Sequence, residues 1–247
     1  MRLLALGLLL TGCFSASPGG YFDDHAFYAS RQHYRVRYAG DHTLLPGGWH
    51  LMNYQVDAAG HPTHALLDVD HVTRLEVDRD RDGRPDTWVF EPMHELAFEN
   101  VGDTAEISVA TSPLQGPLAQ HDLAELSAAV IDHLVSSRDV GKWRREAQTH
   151  WAARVLERGP VQFGATNGYG TVIAIDDLDQ PEGQLDRTIA MASLVLVRPS
   201  STWSSSGAQG GPDDLPMVVS FLYVARPQVF AAERPAFEQM LDHTDFR

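Results

Sequence analysis

Residues 217–224 read Met217-Val218-Val219-Ser220-Phe221-Leu222-Tyr223-Val224, an apolar run that stops at Ala225-Arg226-Pro227. This long apolar run, rich in Val and Leu, reads as a strand. Residues 188–197, TIAMASLVLV, form a second long apolar strand of the same kind. Between the two lie residues 199–216, with the low-complexity run SSTWSSSGAQGG, which reads as a mobile loop. Downstream, residues 235–241 read as a closing helix with Phe237, Met240 and Leu241 inward.

Working back toward the N-terminus, residues 122–136 give the clearest helical pattern. Leu123, Leu126, Val130 and Leu134 fall on one stripe, and Asp122 is placed to cap the start. Residues 143–156 fit a helix or a strand equally, and Gly159-Pro160 is expected to end either one. Residues 96–98 and 105–110 read as a strand pair joined by the Asn100-Val101-Gly102-Asp103 turn. Residues 34–38 alternate as a strand, and residues 49–56 form another after the Pro46-Gly47-Gly48 turn. Residues 73–78 and 87–90 read as two strands joined by an aspartate-rich turn.

The chain has 247 residues, 43% hydrophobic and 21% charged, which suits a folded globule and excludes a polytopic membrane protein. Its 33 acidic against 19 basic residues give a formal net charge of −14. That balance argues against non-specific nucleic-acid binding, which needs clustered cations to displace counterions. It argues equally against electrostatic docking on anionic lipid.

The first residues, MRLLALGLLLTGCFSAS, have the layout of an export signal. Arg2 is a short positive region, and residues 3–10 are apolar but far too few to span a bilayer. The signal ends in Leu10-Thr11-Gly12-Cys13, which resembles the bacterial lipobox. The resemblance implies that Cys13 receives a diacylglyceryl group, that residues 1–12 are removed as a signal peptide, and that the new N-terminus is acylated. Cys13 is the only cysteine, so no disulfide within the chain competes for it. Residues 13–33 are then the lipidated N-terminus and tether, beginning with the small-residue run FSASPGG, and residues 34–247 a single domain. Phe14 stands where some Gram-negative lipoproteins carry an aspartate that marks inner-membrane retention, which favours an outer-membrane address.

The order of elements resembles the PsbP-like α+β fold, an antiparallel sheet with helices packed on it. The residues behind this are Leu45-Pro46-Gly47-Gly48-Trp49, Ala97-Phe98-Glu99-Asn100 through Ile107-Ser108-Val109, and residues 218–223 followed by Phe237 to Phe246. The aspartate-rich hairpin is an insertion in that plan. The resemblance implies a fold and a non-catalytic binding or assembly role.

Residues 78–86 read D-R-D-R-D-G-R-P-D. Asp78, Asp80, Asp82 and Asp86 occupy positions 1, 3, 5 and 9 of a calcium loop, Gly83 the sharp turn at position 6, and Arg84 offers a backbone carbonyl at position 7. The spacing resembles the loops of EF-hands, dockerins and FG-GAP-type β repeats. It departs from the EF-hand at position 12, where Val89 replaces a bidentate glutamate. The competing account is an acidic turn neutralised by Arg79, Arg81 and Arg84.

Other constellations are weaker. His61, His64, Asp68, Asp70 and His71 include zinc-ligand types, but on a strand His64, Asp68 and Asp70 face one side and His71 the other, so they read as surface residues. His94-Glu95 opens like a zinc-protease motif, but Phe98 stands where the second histidine belongs. Gly164, Gly168 and Gly170 read as a flexible turn, and Asp176, Asp177, Asp179, Glu182 and Asp186 as a solvated loop. Trp203 is the one tryptophan placed for an exposed contact. The expected function is a lipid-anchored envelope protein that binds or scaffolds a protein partner without catalysis. The rival is a lipid-anchored hydrolase of envelope polymers, built from His61, His64 and Asp70, or from Asp176 and Asp177.

Overall fold

The structure, a computed structural model, describes residues 20–29, 33–40, 43–58, 62–65, 75–76, 89–90, 93–100, 102, 105–113, 122–128, 151–177, 186–197 and 216–246. In chain order its first strands are β1 (Tyr21–Phe22), β2 (Ala26–Tyr28), β3 (Tyr34–Arg37), β4 (His50–Leu51), β5 (Tyr54–Val56), β6 (Pro62–Ala65), β7 (Leu75–Glu76) and β8 (Val89–Phe90). Then come β9 (Met93–Asn100), β10 (Ala105–Pro113) and a helical stretch at residues 123–128, α1. They are followed by β11 (Trp151–Phe163), β12 (Thr166–Asp177), β13 (Asp186–Val197), β14 (Met217–Ala225), helix α2 (Pro227–Asp242) and β15 (Thr244–Phe246).

Every described strand pairing is antiparallel. A seven-stranded sheet runs β11-β12-β13-β14-β10-β9-β4, and a four-stranded sheet runs β1-β2-β3-β15. The apolar run at 217–224 lies in β14, between β13 and β10, where both faces are covered. That placement explains why it carries no polar alternation.

One face of the large sheet shares a core with α2 and the small sheet. Val219, Phe221 and Tyr223 of β14 join Phe27, Tyr34 and Val36 of the small sheet and Phe230, Phe237, Met240 and Leu241 of α2. The Tyr223 ring stacks on Phe230 at 4.9 Å and on Phe237 at 5.4 Å between centroids. Burying a side chain of this size stabilises by about 1.5–3 kcal/mol, so these rings tie α2 to the sheet. Trp49 closes the same corner, edge-on to Tyr223 and donating from Nε1 to Glu233 at 3.1 Å. The preceding Gly48 has φ +96°, a conformation that favours glycine, which is what the Pro-Gly-Gly-Trp turn requires. On the opposite face, Ile173, Ile175, Ala190, Ala192 and Val224 cluster. There the Ser127 hydroxyl of α1 meets that of Thr171 at 2.7 Å. Asp122 caps α1 by accepting from the Glu125 N–H at 2.9 Å.

Several expectations are corrected. Gly159-Pro160 does not end its element, because β11 runs on to Phe163. Among the described residues β11 pairs on one side only, and a missing N–H breaks no ladder on the other. The glycines at 164–170 are not one flexible turn. Only Gly164 sits in the hairpin turn, with φ +50°, while Gly168 and Gly170 lie inside β12. A Cβ on Gly168 would come within 2.4 Å of the Phe163 ring, and one on Gly170 within 2.4 Å of Val161, so these glycines make room for packed side chains. Asp176 and Asp177 are not in a loop but end β12, and Asp186 opens β13.

The closing helix starts at Pro227, eight residues before the expected start, and Pro235 lies inside it. Pro227 is the proline pre-organised for the first turn. Residues 49–56 split into β4 and β5, which belong to different sheets. Residues 21–28, expected in the tether, form β1 and β2 with Phe27 fully buried, so the folded part begins before Tyr34.

Candidate functional site

Cys13 and the calcium-loop residues Asp78, Asp80, Asp82, Arg84 and Asp86 lie outside the described residues, as do His61, Asp68, Asp70, His71 and Trp203. The nearest described backbone to the aspartates is the pairing of Leu75 with Phe90 and of Glu76 with Val89, which brackets residues 77–88. Among the described residues, no group of three or more His, Cys, Asp or Glu side chains is placed to hold a metal ion. Among the same residues, no helix is long and apolar enough to cross a membrane.

The acidic group that the fold does gather is Glu95 of β9, only 1% exposed. The Tyr34 hydroxyl of β3 donates to Glu95 Oε2 at 2.5 Å. Burial pushes the Tyr34 hydroxyl well above the usual phenol range, and the neighbouring Glu95 charge and hydrogen bond push the same way. Tyr54 of β5 is raised by burial and then by Glu95. Its ring stands edge-on to Phe22 at 5.0 Å and to Phe27 at 6.3 Å.

Asn53 works on the backbone of the same strand. Its Nδ2 donates to the Glu95 carbonyl at 3.0 Å, and its Oδ1 accepts from the Ala97 N–H at 2.9 Å. The side chain thus continues along β9 the pairing that β4 makes only at His50 and Leu51. A buried carboxylate is tolerated when hydrogen-bonded. This one ties the small sheet, through β3, to the large sheet, through β9. Sealed from solvent, Glu95 is arranged to hold the fold and has no surface on which to meet a substrate.

The surface offers a different feature. Residues 153–158 of β11 are all exposed, with Val155 at 49% and Leu156 at 44%. The pairing with β12 shifts between Val155 and Glu157, a bulge that leaves Leu156 as the extra residue. Glu157 accepts from Arg234 of α2 at 3.1 Å, and Arg234 also donates to Glu238 at 2.7 Å. Across β12 and β13, Arg187 donates to both oxygens of Asp176, and that hydrogen bonding holds the Asp176 carboxyl below its ordinary range.

No family model matches the chain, and no curated protein matches it. A similar solved structure is the solution structure of cyanobacterial PsbP (CyanoP) from Synechocystis sp. PCC 6803. It is 10% identical, with a TM-score of 0.43, over 93% of this chain and 96% of that one. Likeness of that degree assigns neither a family nor a role.

Glu95 escapes a sequence reading because its neighbour His94 makes it look like half of a zinc-protease motif. Its one local signal is an acid set beside the apolar stretch Leu96-Ala97-Phe98, on a strand whose other inward residues are buried. Its partner Tyr34 lies 61 residues away, a pairing that no local pattern reveals. Arg234 and Glu157 are 77 residues apart and equally invisible.

Proposed function

We propose that this chain is a lipid-anchored protein of the bacterial cell envelope that binds or scaffolds a protein partner without catalysing a reaction. One observation carries the anchoring: the only cysteine, Cys13, closes Leu10-Thr11-Gly12-Cys13 directly behind an eight-residue apolar stretch and a single arginine. Two or more acyl chains hold a protein stably at a membrane where one is marginal. Phe14 after the cysteine gives the outer membrane as the address. The binding role draws support from β11, which among the described residues is paired on one side only and has Val155 and Leu156 facing solvent, set against a Glu95 sealed inside. The hydrolase reading loses one of its candidate acids, since both oxygens of Asp176 are engaged by Arg187.

The aspartate loop is part of the same proposal, as a structural calcium site of Asp78, Asp80, Asp82 and Asp86 with the Arg84 carbonyl. Hard oxygen donors at alternate positions converge on one cation when the loop curls around it. An affinity on the order of 10⁻⁴ M would match extracellular modules.

Detergent partition tests the anchor. The wild-type chain should enter the detergent phase, and Cys13→Ser should leave it as a soluble or unprocessed form. Equal partition of both forms would remove the lipoprotein reading. Cross-linking in the native envelope then asks what the anchored protein touches.

A further inference from the structure

We propose that β11 joins two copies of this chain edge to edge, in an antiparallel pairing whose two-fold axis passes between Val155 and Leu156. Among the described residues, β11 pairs with β12 alone, and its residues 153–158 are exposed. The register decides which partner fits. Opposed residues of an antiparallel ladder point to the same face, whereas residues three apart on a regular strand point to opposite faces. On a regular strand, therefore, Arg154 could not oppose Glu157 of a second copy.

The bulge changes that parity. Arg154 pairs with Ala174 and Glu157 with Val172, and Ala174 and Val172 both belong to the core beneath α2. Arg154 and Glu157 therefore share one face. Ala153 and Arg158 share the other, through their pairing with Ile175 and Thr171. A two-fold axis between Val155 and Leu156 then sets Arg154 of each copy against Glu157 of the other, twice. It also sets Val155 against Leu156, covering the two exposed apolar side chains. The extra residue of each strand lies beside the axis, so the ladder keeps register on both sides of it. Glu157 accepts the second arginine while holding Arg234, because a carboxylate offers several acceptor sites.

The charges that make this edge specific also guard it. Charged side chains on an open edge repel unrelated strands. An axis moved onto Leu156 would set Arg154 opposite Arg158, like charges that lie on different faces, and neither ion pair would form. An axis moved onto Val155 would set Arg154 opposite Leu156, with the same loss. Two ion pairs in one register and none in either neighbour select a single pairing. The product is one continuous sheet made from two seven-stranded sheets.

Two charge reversals test the pairing by sedimentation velocity on the full chain in mild detergent, at concentrations on the order of 10–100 µM. The wild type should sediment as a dimer. Arg154→Glu alone sets two acids against each other at both crossings, and Glu157→Arg alone sets two arginines, so each should weaken dimerisation by about tenfold or more. Mixed together, the two variants place opposite charges at both crossings again, and should form a heterodimer. The substituted side chains are exposed, and circular dichroism should show the fold unchanged. A wild type that stays monomeric overturns the proposal. So does a dimer that neither reversal weakens, or a mixture that remains monomeric. The readout is independent of the lipid anchor, because the single variants carry the same anchor and serve as the micelle control.

Discussion

At the scale of single residues, the Tyr34–Glu95 contact is where physical chemistry is most concentrated. Removing one partner from a buried hydrogen bond costs about 1–3 kcal/mol. Tyr34→Phe, which keeps the ring among Phe27, Phe221 and Phe246, should therefore lower the stability measured in urea by an amount in that range. The same contact predicts alkaline sensitivity. Tyr34 ionises in the unfolded chain near its ordinary value of 10.0 and well above it in the fold. Below that ordinary value neither state loses the proton, and the stabilisation is fully present. Above it the unfolded chain ionises first, so stability falls by about 1.4 kcal/mol per pH unit for each such tyrosine. The decline continues until the folded-state value is reached. Tyr54, raised in the same direction, adds to it. Chemical denaturation across the alkaline range should show a shallower decline for Tyr34→Phe than for the wild type. Parallel slopes would show that Tyr34 is not protected in the fold.

At the scale of elements, α2 carries a correctable defect. Pro235 lies inside the helix and is exposed, so it withholds an N–H from the ladder while packing little. Pro235→Ala should raise stability by about 1–3 kcal/mol, read as a higher melting temperature. A fall would mean that the proline sets a bend on which the packing of Phe230 and Phe237 depends. The aspartate-rich stretch at 78–86 makes its own prediction. Four aspartates within nine residues repel one another unless a cation or the arginines neutralise them. With an affinity on the order of 10⁻⁴ M, about 1 mM calcium should stabilise by about 1.4 kcal/mol. Magnesium should do less, because it holds its waters in a tighter octahedral shell. Asp80→Ala together with Asp82→Ala should abolish the response. A wild-type melting curve flat to calcium, and sensitive instead to salt, would assign the neutralisation to Arg79, Arg81 and Arg84.

At the scale of the molecule, the small sheet, one face of the large sheet and α2 share a single core, so they should unfold together. Residues 198–216 join strand ends already paired in register, Val197 with Met217. Removing residues 200–211 should therefore leave one cooperative transition, since loop-closure entropy changes by only about 0.6 kcal/mol per doubling of length. Separate transitions for the two halves of the chain, or loss of the transition, would show that the segment packs on the domain.

Local pattern is enough for the sequence to determine where most strands lie. The apolar runs at 188–197 and 217–224, the alternation at 34–38 and the inward Phe237, Met240 and Leu241 all reappear in β13, β14, β3 and α2. Each follows from the burial of neighbours two, three or four residues apart, which a single sequence displays. The start of α2 is hidden because Pro235 resembles a first-turn proline, and only the packing of Phe230 on Tyr223 shows that the helix is already under way. The resemblance of residues 10–13 to a lipobox, too, rests on local signal, carried by residues 2–13. What tertiary structure alone decided depends on which strand became an edge and which residues met across long separations. Pro160 and Gly159 stay in a strand because, among the described residues, β11 is paired on one side only, and Gly168 is required because Phe163 folds back over it. Glu95 meets Tyr34, and Glu157 meets Arg234, because non-adjacent strands and a helix are brought together by the shared core, a placement that short-range periodicity does not encode.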